Sequence, residues 1–199
     1  MTTTAAQLSS APTAQVTGIW QRHVPARFSH TGLQGRRSAG RWGTRNGFPV
    51  LYLGKPEQSV VIEAYRHLVD PVEDPMPPGS FVPRMLITAS VEVDNVLDLR
   101  TAGGRAAAGL TMAELQSATS DREAYRQCQL VAQLAHQLRY HGIVAPAATK
   151  VGETLALFTD VVPANQQPVH LADEHWDTLP QDPRNPGQRR LRLIGPSDT

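Results

Sequence analysis

Arg41, Tyr52 and Glu63 stand eleven residues apart along the chain. A guanidinium offers a planar fork of donors suited to phosphate or carboxylate. A carboxylate stabilises positive charge developing beside it, and a tyrosine gives both a ring face and a hydroxyl. Each also has a plain structural role: Glu63 can pair along its own helix with Arg66 or His67, Arg41 with a surface acid, and Tyr52 can be a core residue with its hydroxyl tied to backbone. The charge distribution leaves an anionic partner and a solvated basic face equally open. The chain carries 19 basic and 18 acidic side chains, yet its first 56 residues hold Arg22, Arg27, Arg36, Arg37, Arg41, Arg45 and Lys55 and no Asp or Glu. Such a cluster repels itself unless it is solvated or set around an anionic partner.

The elements that must position these residues can be read from pattern. Gln15 to Val24 and Pro49 to Gly54 carry β-branched, aromatic and apolar residues bounded by breakers and read as strands. Between them, Gly32 to Gly47 contains five glycines and reads as a loop able to approach a ligand closely. A helix is expected from Pro56 to about Val69, with Val60, Val61, Ala64 and Leu68 on one face and Glu63 beside that stripe. Four prolines between Asp70 and Gly79 end it, and Phe81 to Val93 carries the next strand signal. Gly103 and Gly104 suggest a break. A helix from about Asp121 to His141 buries Ala124, Cys128, Val131, Ala135 and Leu138, with Gly142 as its stop. Strand-like runs follow at residues 143–146 and Thr154 to Phe158, and a late one at Arg190 to Ile194. Strands and helices mix without regular alternation, so the fold class is α+β.

Residues 1–15 are polar and unpatterned and are expected to be a disordered lead-in. A single domain over residues 16–160 follows, then a polar, proline-rich extension over 161–199 able to pack on it. No run of apolar residues is long enough to span a membrane, and the first residues lack the charged and apolar regions of a secretory leader. The single cysteine, Cys128, excludes an internal disulfide and a multi-thiolate metal site. It reads as a core residue, and a cytoplasmic setting is expected. His136 and His141 fall on different helix faces, so no metal is expected. Scarce aromatic residues and the absence of a recognition motif argue against nucleic acid.

Several separated blocks agree in order and spacing with one family. Ala39-Gly40-Arg41-Trp42-Gly43, Leu51-Tyr52-Leu53, the helix with Glu63, Gly142 to Ala147 and Gly152 to Phe158 together resemble the RES-domain family of bacterial toxin-antitoxin toxins that degrade NAD. The resemblance spans about Ile19 to Phe158. It matches Arg41 to the family Arg, Tyr52 to its strand Tyr and Glu63 to its helix Glu, while Trp20-Gln21-Arg22 matches an opening segment that ends in Arg. The late Ser is replaced: Pro146 is followed by Ala147, and Gly43 stands where Asn is common. Thr149, two residues on, could supply a hydroxyl instead.

The resemblance implies an ADP-ribosyltransferase-like mixed sheet with flanking helices, and cleavage of the nicotinamide–ribose bond of NAD, with the acceptor open among water, inorganic phosphate and a protein side chain. Arg41, Glu63 and Tyr52 are the implied catalytic residues, and Arg22, Arg41, Tyr52 and Thr149 the implied substrate contacts. It also implies a cognate antitoxin covering the pocket. NAD is then substrate and no cofactor is needed; the state of self-association stays open, including a homo-oligomer. The alternative is a RES-like protein of little or no activity, retained to bind a nucleotide or a protein, because Ala147 replaces the family Ser.

Overall fold

The computed structural model describes residues 3–71 and 81–185. Six strands form one mixed sheet: β1 (Thr13–Pro25), β2 (Val50–Lys55), β3 (Arg84–Asp98), β4 (Gly142–Pro146), β5 (Glu153–Phe158) and β6 (Val169–Trp176). The helices are α1 (Ala5–Ser9), α2 (Glu57–Leu68), α3 (Ala102–Ala107), α4 (Met112–Leu115) and α5 (Arg122–Gln137). The order is β1-β2-β5-β4-β3-β6, and β1 also pairs with β3, so the first five strands bend round into a ring. All pairings are antiparallel except β3 with β4. This is the α+β class read from the sequence, a sheet core with flanking helices.

Period-two alternation explains why β4 and β5 read as unbroken apolar runs. Leu51, Leu53, Val144, Leu155 and Leu157 pack with Val16, Trp20 and Val93 inside the ring. Their alternate neighbours Val50, Ile143, Ala145, Ala156 and Phe158 pack outward against Cys128, Val131, Ala132 and Ala135 of α5. Both faces of these strands are therefore buried. The third cluster sets Val60, Val61 and Ala64 of α2 against Leu86 of β3 and Trp176 of β6. The stripes expected on α2 and α5 are thus the faces that bury, with Leu68 at the end of α2 and Leu138 just past α5 only partly covered.

The ring has one weak seam. β1 meets β2 through the single pair Gln21 with Gly54, whereas β1 and β3 pair from Thr13 with Leu97 to Pro25 with Arg84. The strands splay at the seam, next to the amino-terminal end of α2. At the same end, Gly152 turns the chain from β4 to β5 with φ +69°, and a Cβ there would lie 2.0 Å from the carbonyl oxygen of Lys55.

Four expectations change. The lead-in is not featureless: α1 is closed by a reciprocal cap between Thr4 and Gln7, and Leu8 is wholly buried in the outer core. Gly103 and Gly104 do not break the chain but lie in α3, where a Cβ on Gly104 would stand 1.8 Å from the Asp98 carbonyl oxygen. α5 ends at Gln137 with Arg139 as its left-handed residue, φ 63°, while Gly142 begins β4. The sheet also continues beyond residue 160, because β6 pairs along β3 from Arg84 to Ser90. The late strand expected at Arg190 to Ile194 lies outside the described residues, as does most of the proline-rich stretch after α2.

Candidate functional site

A cavity of about 560 Å³ opens at the seam. It gathers Arg22 from β1, Arg41 from the glycine-rich loop, Tyr52 from β2, Glu63 from α2 and Thr149 from the turn between β4 and β5. Every substrate-contact and catalytic residue expected from the sequence therefore faces one space, though they come from five parts of the chain. Ala147 does not: it is 1% exposed and belongs to the outer core, while its neighbours Pro146, Ala148 and Thr149 line the cavity.

Arg22 shares its strand face with buried Trp20 and Val24. Its Nε is buried without a hydrogen-bond partner. Burial, and then the charges of Arg36 and Arg84, push its pKa down to about 10, so it remains a cation at neutral pH. An unpaired buried cation in a cavity wall is costly unless an anion meets it.

Arg41 is held differently. Its Nη1 donates to the Glu114 carbonyl at 2.6 Å and to Ser117 Oγ at 3.0 Å, and its Nη2 to the Ser117 carbonyl at 2.8 Å. The guanidinium also lies 4.4 Å from the ring centre of Tyr125. Arg41 thus fastens the segment between α4 and α5 over the cavity, where Leu115 and Thr119 line it. From α2, Arg66 Nη2 donates to the same Ser117 carbonyl at 3.2 Å, and its Nη1 donates to the Ala148 carbonyl. Gln129 Nε2 fixes the Arg41 loop itself through the carbonyls of Gly40 and Gly43, at 2.8 and 3.1 Å.

Tyr52 serves that loop too. Its hydroxyl accepts from the Trp42 backbone N–H at 2.9 Å, and a Cβ on Gly40 would stand 2.7 Å from it. Burial raises its pKa well above the usual phenol value, so the hydroxyl keeps its proton and can still donate into the cavity. Glu63 Oε1 lies 3.3 Å from His67 Nδ1 and Oε2 lies 3.9 Å from Arg66 Nε. The helix pairing and the cavity position expected for this carboxylate therefore coexist. Cys128 is fully buried in the core as expected, and burial pushes its thiol up to about 11.

Ser59, Tyr125 and Gln129 were not anticipated, and Arg66 was expected only as a helix partner of Glu63. The available signal was spacing: Ser59 and Glu63 are four residues apart on α2, as are Tyr125 and Gln129 on α5, so each pair shares a helix face. Among the described residues no group of three His, Cys, Asp or Glu is placed to hold a metal. His136 pairs with Asp160 and His141 with Asp94.

His23, also in the cavity wall, accepts from Arg84 Nε at 2.7 Å. Burial first, and then Arg84, push its pKa down to about 3. The unfolded chain binds this proton below its ordinary value of 6.5 while the folded chain refuses it, so stability falls as pH drops below that value. The slope from His23 is at most about 1.4 kcal/mol per pH unit. Urea unfolding between pH 6.5 and 5, above the carboxylate range, should show this decline, and His23→Gln should flatten it. Equal slopes in both proteins would remove His23 as its source.

A mixed α+β domain with a cationic, carboxylate-bearing cavity at a sheet seam defines the class. The RES-domain family model matches residues 15–179, and the chain belongs to that family. In fold it is similar to a chain in the crystal structure of the M. tuberculosis MbcT–MbcA toxin–antitoxin complex, with a TM-score of 0.72, 24% identity, 86% of this chain covered and 90% of that one. No curated protein matches the chain.

Proposed function

We propose that this protein consumes NAD by breaking the nicotinamide–ribose bond. The observation that carries the reading is the convergence of Arg22, Arg41, Tyr52 and Glu63 on one cavity, with Arg22 Nε buried and unpaired. In the reaction the bond from C1′ to the pyridinium nitrogen breaks, and its electron pair neutralises the leaving nicotinamide. An oxygen of water or inorganic phosphate forms the new bond to C1′ and gives up its proton where it carries one. Nicotinamide leaves from a cationic ring and needs no general acid. Positive charge spreads over the ribose as the bond lengthens, and Glu63 stabilises it.

Arg22 meets the pyrophosphate of NAD or the attacking phosphate. Arg41 has spent three N–H groups on Glu114 and Ser117, so its part is the positive field and whichever donors remain. Tyr52 stacks on the substrate or donates its hydroxyl to it, and Thr149, which also lines the cavity, engages Ser59 and Val151 through its hydroxyl. The toxin–antitoxin pairing of the structural neighbour supports a toxin role with a cognate antitoxin; that the protein acts in the cytoplasm and that the antitoxin covers the cavity mouth belong to the same proposal.

The test is incubation of the purified protein with NAD, with and without inorganic phosphate, following nicotinamide and the sugar product by mass. Nicotinamide release is expected, and a product heavier by phosphate identifies that acceptor. No release with NAD still bound would move the protein to the non-catalytic, nucleotide-binding reading that Ala147 raises.

A further inference from the structure

The late hydroxyl of the family pattern has no counterpart at Ala147, but the cavity contains a paired set of hydroxyls from two other positions. Ser59 Oγ lies 2.7 Å from Thr149 Oγ1. Ser59 is 3% exposed on the first turn of α2, and Thr149 is on the turn between β4 and β5; both line the cavity.

Either hydroxyl can be the donor across this contact, and proton counting favours Ser59. Thr149 Oγ1 donates its single proton to the Val151 carbonyl at 3.0 Å and accepts the Val151 N–H at 3.3 Å. The short contact between the hydroxyls is then satisfied by the Ser59 proton, donated to Thr149. Ser59 is left with acceptor lone pairs for the cavity. Glu63, one turn further along the same face of α2, also lines the cavity and is the second acceptor. Two acceptors one turn apart suit a ligand that presents two adjacent hydroxyl donors.

We infer that Ser59, with its proton drawn off by Thr149, is a substrate-binding residue that accepts a hydrogen bond from one hydroxyl of the nicotinamide ribose while Glu63 takes the other. Thr149 is the positioning residue. The inference rests on the NAD reading above and adds a source of selectivity for an intact ribose diol.

The experiment removes the interaction from both sides. Nicotinamide release is measured with NAD and with NAD analogues lacking the 2′- or 3′-hydroxyl of the nicotinamide ribose, for wild type, Ser59→Ala, Thr149→Val and Thr149→Ser. In wild type, loss of the hydroxyl that meets Ser59 should lower kcat/KM roughly 3- to 10-fold, the range of one neutral hydrogen bond. Ser59→Ala should lower kcat/KM for NAD by a similar factor and show no further loss with that analogue. Thr149→Val should behave likewise, and Thr149→Ser should restore wild-type discrimination. A Ser59→Ala protein that still discriminates fully between NAD and both analogues overturns the inference and leaves the NAD reading standing. A wild type that neither cleaves nor binds NAD overturns both.

Discussion

Glu63→Gln should lower nicotinamide release by roughly 100- to 1000-fold, the scale on which a single preorganised electrostatic contact acts in a transition state. It should leave the melting temperature nearly unchanged. The substitution keeps the shape and volume of the side chain and removes its charge, and charge is what a ribose with developing positive character needs. The structural cost is small because the Glu63 side chain is 39% exposed and pairs only along its own helix, with His67 at i+4 and Arg66 at i+3. Such pairs contribute a few tenths of a kcal/mol. Arg66 keeps its bonds to the Ala148 and Ser117 carbonyls, so the wall it braces stays in place. Measured turnover equal to wild type would remove Glu63 from the chemistry and leave it a helix-surface ion pair. A large stability loss would mean that the carboxylate braces the cavity wall.

The contrast between those two roles was open in the sequence because both are local to α2. What the sequence made legible was whatever depends on periodicity. α2 and α5 showed their buried faces, and β4 and β5 showed apolar runs that proved to be covered on both sides. β6 gave no such signal, since Val169 to His175 are exposed and the strand is held by backbone pairing to β3. An exposed edge strand has little hydrophobic alternation to read. α1 was missed for a related reason: Leu8 is its only buried residue, although the Thr4–Gln7 cap was present in the letters. The pair Gly103-Gly104 read as a break because glycine weakens helices, yet α3 needs Gly104 where the helix start crosses the Asp98 carbonyl.

For the site, the family blocks identified residues that the structure gathers into one cavity, but composition could not reveal how each is engaged. Ser59 was hidden among the apolar positions of α2, and its relevance depends on Thr149, ninety positions away in the chain. The Arg41 guanidinium was read as a substrate contact or as the partner of a surface acid. Its bonds to the backbone of residues 114 and 117 depend on the path of a connecting segment, which side-chain types do not encode.

That engagement gives Arg41 a different mutational signature from Glu63. Arg41→Lys should lower both activity and stability, although it preserves the charge. Lysine replaces a planar fork by one ammonium on a flexible stem, and a single nitrogen cannot occupy the places from which Nη1 and Nη2 reach Glu114 and Ser117. It also gives up the cation–ring contact of the guanidinium, which lies 4.4 Å from the centre of Tyr125. Hydrogen bonds to a charged group contribute about 1.5 to 3 kcal/mol each, and lysine recovers some of them, so a net loss of about 2 to 4 kcal/mol is expected. For a chain of 199 residues that corresponds to a fall of roughly 4 to 15 °C in Tm. Arg66 still holds the Ser117 carbonyl, so the segment loosens rather than detaches and the domain folds. Activity should fall at least about 100-fold, because a displacement near 1 Å at a cavity wall is enough to cost that much. A Lys variant that melts like wild type but has lost turnover would show that the loop bonds contribute little and that Arg41 acts on the substrate alone. One that melts early yet turns over normally would reduce Arg41 to scaffold and leave Arg22 as the cation that meets the phosphates.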